Sequence, residues 1–270
     1  MLYNQFTPVY EALKQGGLDT QTVVDLSDLT FLRPLTILPL AALINEGNAQ
    51  VILPRDPSVS AYLSTVLFPK GSTAIQAVRG SYIPIGRINT NDPVGVDRMT
   101  EVFEQLILKQ LGSLPEGART AITYPIAEIT TNILDHSKQE TGWIFGQHYQ
   151  AEKRLDICIL DRGRGFRRCY KEELALETTD EEAIKFALKG RSCKTSRTNE
   201  RGFGLWTTKR MVTEGLGGEC FILSGSAAYY ASQKEEMNLE FETGISWNGV
   251  IVAFRIPYPT SPIDPTQYYE

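Results

Sequence analysis

The sequence predicts an α/β protein built in two parts, and three observations carry that prediction. Between residues 22 and 53 a β-branched run, a Leu-rich helical pattern and a second apolar run follow one another, which is the order of a βαβ unit. Residues 97–135 hold two helical patterns separated by a short Gly/Pro turn. The remainder alternates apolar runs with glycine-rich turns and ends on the strand-like GVIVAFRI, residues 249–256. With 270 residues, 42% of them apolar and 22% charged, the chain can bury one large core or two modest ones.

Composition narrows the partners. A net charge of −5 gives no reason to expect nucleic acid. The most apolar stretch, residues 31–44, carries Arg33, Pro34 and Pro39 and is too short to span a bilayer, so no membrane role is expected. The start, MLYNQFTPVY, lacks a basic region followed by an apolar core, so a cytoplasmic protein without a signal peptide is the expectation. Cys158, Cys169, Cys193 and Cys220 form no CxxC pair and no zinc spacing, which reads as reduced thiols.

Residues 8–14 suggest a short helix closed by Gly16 and Gly17. Residues 22–26 (TVVDL) and 49–53 (AQVIL) read as buried strands around a helix over 35–45 that contains Pro39. Their strands should be parallel with a right-handed crossover. A further short helix is expected over 57–67. Residues 1–80 then form a small α/β domain, and 81–96 form a linker holding one extended piece. The second domain, 97–257, opens with an amphipathic helix over 97–111, stopped by Gly112 and Pro115. A second helix over 118–135 contains Pro125, which predicts a kink or restart about one turn before Glu128. Two antiparallel strands follow over 143–149 and 154–160. Thr179 and Glu182 offer a capping box for a helix ending near Gly190. Another helix is expected over 207–214, then strands over 220–223 and 249–256, with a loosely ordered tail over 258–270.

Three stretches carry chemistry. In IAEITTNILDHS, residues 126–137, Glu128, Asn132 and Asp135 fall on one helical face while Ile126, Ile129, Ile133 and Leu134 lie around the other side. A carboxylate, an amide and a second carboxylate suit a hydrated magnesium ion shared with substrate phosphates. The strand at 154–160 ends in Asp161, with Gly163 and Gly165 letting the backbone turn and approach a flat ligand. Asp161 could then accept a hydrogen bond from an exocyclic amine such as that of adenine. Lys189, Arg191, Lys194, Arg197 and Arg201 make a basic run suited to a lid over phosphates. Gly202, Phe203, Gly204 and Leu205 lead from it into a helix amino terminus, where unpaired N–H groups favour an anion. Neither a P-loop nor a dinucleotide fingerprint occurs.

EITTN, DRGRG, RGFGLWTTKRMVTEGLGGECFILSGS and GVIVAFRIP together resemble the ATP-binding domain of the GHKL superfamily over residues 97–257. That resemblance implies a Bergerat-fold α/β sandwich, a mixed sheet with helices on one face. It further implies Asn132, with Glu128, as magnesium ligands and Glu128 as the catalytic base. Asp161 would bind adenine, with Gly163 and Gly165 in its glycine box. Gly202–Leu205 would cradle phosphates, and Asp135, Lys194 and Arg201 would complete the ATP site. ATPase branches of the superfamily often place a threonine where this chain has Val250 after Gly249. The order VVDLSDLTFLRP, Leu-rich helix, AQVILP resembles the STAS fold of anti-sigma-factor antagonists, although the loop at 30–35 has no serine at its tip and Ser27 lies earlier. Docking, homodimerisation or structural support are the roles open to that unit.

Within the superfamily, no phosphoacceptor histidine precedes the ATP module, and no transducer domain is expected after it. Two readings follow: a serine/threonine protein kinase of the anti-sigma type acting on a partner protein, STAS-type or another regulator, or an ATP-dependent switch with slow hydrolysis. A nucleotide-binding scaffold without turnover is the third.

Overall fold

A computed structural model describes residues 1–14, 22–75, 82–193 and 204–269. The amino terminus forms a 3-10 turn at Leu2–Phe6 and helix α1, Thr7–Lys14. Strand β1 (Val23–Asp25), helix α2 (Pro34–Gly47) and strand β2 (Gln50–Ile52) make the expected crossover, with β1 and β2 parallel. Pro34 starts α2, where its missing N–H costs nothing. The helix stays continuous through Pro39 and ends on Asn48 in the left-handed region. Helix α3, Pro57–Thr65, is capped by the Asp56 carboxylate, which accepts from the Ser58 amide.

Strand β3 (Gly86–Asn89) and helices α4 (Pro93–Leu111) and α5 (Ala118–His136) come next. Pro125 lies inside α5 without breaking it, so the predicted restart does not occur. Strands β4 (Thr141–Tyr149) and β5 (Arg154–Asp161) pair antiparallel. Helix α6 (Gly165–Leu174) follows, and α7 (Asp180–Leu188) carries the capping box foreseen at Thr179 and Glu182. Helix α8 (Gly204–Arg210) runs into one π-helical turn at Met211–Gly215. Strands β6 (Glu219–Gly225), β7 (Ala227–Ser232), β8 (Glu236–Glu240) and β9 (Trp247–Pro257) follow, and a 3-10 turn at Pro265–Tyr268 comes after them.

Strands β3 to β9 form one sheet in the order β3-β4-β5-β9-β6-β7-β8, and each of its described pairings is antiparallel. The mixed sheet is therefore corrected to an antiparallel one. Among the described residues the parallel pairings are β1–β2, outside this sheet, and a single isolated bridge from Ser72 to Gly86 of β3. The linker is corrected as well, because β3 is a member of the large sheet and α4 already starts at Pro93.

Helices do not stay on one face. Ile144, Ile157, Ile159, Ile222, Val252 and Phe254 point to a core shared with α4, α5 and the α8 region. Their strand neighbours Phe145, Cys158, Leu160, Phe221, Leu223 and Ala253 point to the opposite core, where Leu35, Leu38, Leu40 and Leu43 of α2 cover them. A two-stranded β1–β2 ribbon has too little surface for a core of its own. The amino-terminal unit is therefore packed as the second cover of the sheet. Polar ties reinforce the seam: the buried Asp156 meets Arg255 at 3.1 and 3.2 Å, Gln5 at 3.1 Å and Arg33 at 3.8 Å. The segment after β9 also has a docking place, since Ile263 and Tyr268 pack against the helical core and Tyr268 lies on Gly215. No described helix is long and apolar enough to cross a membrane.

Candidate functional site

A cleft of about 800 Å³, measured out to its mouth, opens between α5, α6 and the ends of β5 and β9. Helix α5 presents Glu128, Asn132 and His136 along one side, spaced four residues apart as a helical face requires. The Asn132 amide Nδ2 donates to Glu128 Oε1 at 3.2 Å, so the two side chains hold each other's orientation. Opposite Glu128 stands Gly204, the first residue of α8. A Cβ there would fall 1.7 Å from Glu128 Oε1, so only glycine leaves room for the carboxylate.

Asp161 closes the inner end. Its side chain is 4% exposed and accepts from the Gly163 amide at 2.7 Å and from the Val250 amide. Burial pushes its carboxyl up to about 7, against the pull of these two N–H groups in the other direction. The Asp161 carbonyl accepts from Trp247 Nε1 at 3.1 Å. Gly163 is forced by close approach, because a Cβ would sit 2.1 Å from the Ser137 carbonyl oxygen. Gly165 has φ +66° and starts α6. Val250 and Val252 of β9, with Ile129, Ile133 and Ile159, give the cleft an apolar floor. A flat ring could lie on that floor with an amine at Asp161.

Sequence-predicted residues are thus brought together at Glu128, Asn132, Asp161, Gly165, Gly204 and Leu205, all of which line the cleft. Gly163 shapes its wall. Asp135 is not among the lining residues; it is exposed on α5, and the third residue of the stripe is His136 instead. Lys194, Arg201, Gly202 and Phe203 lie outside the described residues. Arg191 and Ser192, at the start of the basic run, do reach the cleft.

Sequence reasoning missed a second constellation on the same wall. Cys169 of α6 and Cys193, after α7, are joined by a disulfide, which corrects the expectation of four reduced thiols. Cys158 and Cys220 are free and buried in the sheet, and burial raises both thiol pKa values. His136 Nδ1 lies 3.6 Å from Cys193 Sγ and 4.0 Å from Cys169 Sγ. Separations of 33 residues to Cys169 and 57 to Cys193 hide this cluster from any local motif.

The paired oxygens on α5 fit magnesium chemically. They are hard donors, few in number, beside open volume that substrate phosphates and waters would complete. No protein-family profile matches this chain, and a search of curated proteins finds no match either.

Proposed function

We propose that this chain binds Mg-ATP in the cleft through a Bergerat-type site and acts as a serine/threonine protein kinase on a partner protein, in the manner of the anti-sigma kinases. The observation that carries the reading is convergence. Glu128 with Asn132, Asp161, and Gly204 come from three separate stretches of the sequence and line one cleft. Asp161 would accept from the adenine amino group, with the Gly163 and Val250 amides fixing its carboxylate. The apolar floor would take the base. Asn132 would hold magnesium together with Glu128, and that ion, when bound, neutralises charge on the transferring phosphoryl group. Glu128, oriented by its hydrogen bond from Asn132, would accept the proton of the attacking hydroxyl. The STAS-like crossover would then face a partner, and a need for ATP fits the cytoplasm.

One observation favours the second reading, an ATP-dependent switch. Arg162, directly after Asp161, donates to Glu46 of α2 at 2.9 Å and stacks over Trp247 at 4.4 Å. The adenine end of the site is therefore tied to the amino-terminal cover of the sheet. A change at Asp161 on nucleotide binding would be felt by α2.

Incubation of the full chain with γ-labelled ATP, magnesium and candidate STAS-type proteins separates the readings. Transfer of label to a serine or threonine supports the kinase, and phosphate release without protein labelling supports the switch. A melting temperature unmoved by ATP·Mg, in wild type as in Asn132→Ala, would remove the nucleotide assignment.

A further inference from the structure

The cluster His136, Cys169 and Cys193 sits on the cleft wall next to the Glu128–Asn132 stripe and has no part in the reading above. Its three ligand atoms all lie within 4.8 Å of one another. We infer that, with the disulfide reduced, His136 Nδ1, Cys169 Sγ and Cys193 Sγ bind one zinc ion whose fourth position opens into the cleft.

Geometry is the first argument. Zinc–sulfur bonds of about 2.3 Å and zinc–nitrogen bonds of about 2.05 Å in a tetrahedron place nitrogen and sulfur about 3.6 Å apart. The two observed nitrogen–sulfur distances are 3.6 and 4.0 Å. Ligand type is the second. One imidazole and two thiolates are a zinc set, soft enough to disfavour magnesium or calcium. Two thiolates also neutralise the charge of the ion, so both sulfurs can be as buried as they are, at 2% and 7% exposure, without a further counter-charge.

Support around the site is the third argument. The ligands come from three elements, each anchored independently. Arg164 Nε donates to the His136 carbonyl at 2.8 Å, fixing the end of α5. The Tyr170 hydroxyl donates to the Arg191 carbonyl, two residues before Cys193. Tyr170 and Ala183 pack with both cysteines in a small apolar core. Three protein ligands with a solvent-facing fourth position is the pattern of a zinc site that accepts an exogenous oxygen ligand.

The bonded and metal-bound forms exclude each other, because the sulfurs cannot be joined and ligate separately. Conversion by a dithiol reductant is balanced. The dithiol gives two electrons and two protons, the Cys169–Cys193 bond becomes two thiols, and the reductant leaves as its own disulfide. Zinc uptake then releases the two thiol protons.

The inference stands apart from nucleotide binding and is tested without ATP. The 270-residue chain, reduced with a phosphine and freed of metal, is titrated with cobalt and then zinc. One equivalent of cobalt should give tetrahedral visible bands with thiolate charge-transfer absorption, displaced by zinc. Oxidised protein should take up none. Cys193→Ser and His136→Asn should bind at least about tenfold more weakly. A variant-free measurement guards against misfolding: in wild type, zinc should protect Cys169 and Cys193 from alkylation, as read by peptide mass. A reduced chain that binds no cobalt, or whose two cysteines alkylate at the same rate with and without zinc, overturns the assignment.

Discussion

The two faces of the seven-stranded sheet are both buried, yet they are buried for different purposes. On the face of α4 and α5, apolar packing stops short along the α5 side and leaves a polar-rimmed cleft. On the opposite face, α2 fills the space with eleven buried residues in succession, Pro34 to Ile44. Polar groups enter this side at the Asp156 network, at Thr36, whose hydroxyl donates to the Gln5 carbonyl, and at Glu219, which accepts from the Leu2 amide and the Tyr230 hydroxyl. The first face keeps a site open, and the second makes the sheet behind that site rigid. Preorganised carboxylates such as Glu128 and Asp161 depend on such support.

Truncation on the two faces tests that division most strongly. Phe103→Ala on α4 and Leu38→Ala on α2 each remove a fully buried side chain and should cost about 3–5 and about 2–5 kcal/mol respectively. If the amino-terminal unit covers the sheet as one body with it, urea unfolding of Leu38→Ala remains a single transition shifted to lower urea. Two separated transitions, with the second unmoved, would make the unit an independent domain. Asp156→Ala should cost less, about 1–3 kcal/mol, because Arg255 and Arg33 lose the buried carboxylate between them while Arg255 keeps Glu219 at 3.2 Å.

Protonation of Asp161 sharpens the same contrast on the cleft side. Its folded pKa, about 7, lies above the ordinary carboxylate value. Between about pH 4 and 7 the native chain holds a proton that the unfolded chain has lost. The stabilisation is full below about pH 4 and disappears as pH rises through about 7, a loss on the order of 4 kcal/mol. Asp161→Asn should flatten this part of the stability profile, measured by urea midpoints from pH 5 to 8. If the ionised carboxylate accepts from adenine, ATP should bind more tightly as pH rises through the same window in wild type and not in Asp161→Asn. A profile for wild type as flat as that of the variant would mean Asp161 is already ionised in the native chain.

Glycines at the cleft separate stability from binding. In Gly163→Ala the new Cβ meets the Ser137 carbonyl oxygen at 2.1 Å, a backbone atom that cannot rotate away. A cost of about 1–3 kcal/mol is expected in thermal unfolding. In Gly204→Ala the Cβ meets the flexible side chain of Glu128 from Cγ to Oε1 and no backbone atom among its three nearest neighbours. Stability should change by less than about 1 kcal/mol. Displacing Glu128 breaks its hydrogen bond from Asn132, and if the cleft binds ATP·Mg as proposed, the melting shift that the nucleotide gives should largely vanish. An unchanged shift would detach Glu128 from the nucleotide site.

What the sequence made legible follows the distance over which each signal acts. Glu128 and Asn132 share one helix, and Asp161 ends a strand beside two glycines, so their chemistry is written locally. The α2 run is apolar all round, which predicts burial but cannot say against what. Only the pairing of β9 with β5 on one side and β6 on the other creates the second face that α2 covers. Strand β8 was hidden by its polarity, since it lies at the sheet edge and is mostly exposed. Helix α6 was hidden likewise, as GFRRCYKEEL buries only Cys169 and Tyr170. The His136–Cys169–Cys193 cluster needs three elements folded together before any of its members means anything.

The smallest expected effect bears on how the faces communicate. Arg162 is held between Glu46 and Trp247, and Trp247 in turn donates to the Asp161 carbonyl. Glu46 is about half exposed, so solvent screening limits the ion pair to less than about 1 kcal/mol. Glu46→Gln should therefore leave the urea midpoint nearly unchanged. The informative measurement is hydrogen exchange of α2 with and without ATP·Mg. If the site behaves as a switch, nucleotide slows exchange at the end of α2 in wild type, and Glu46→Gln reduces that protection while ATP affinity stays within about twofold, an energy change of less than about 0.5 kcal/mol. Protection that is absent in wild type would leave α2 as a passive support and weight the kinase reading, in which the second face only holds Asp161 and its neighbours still.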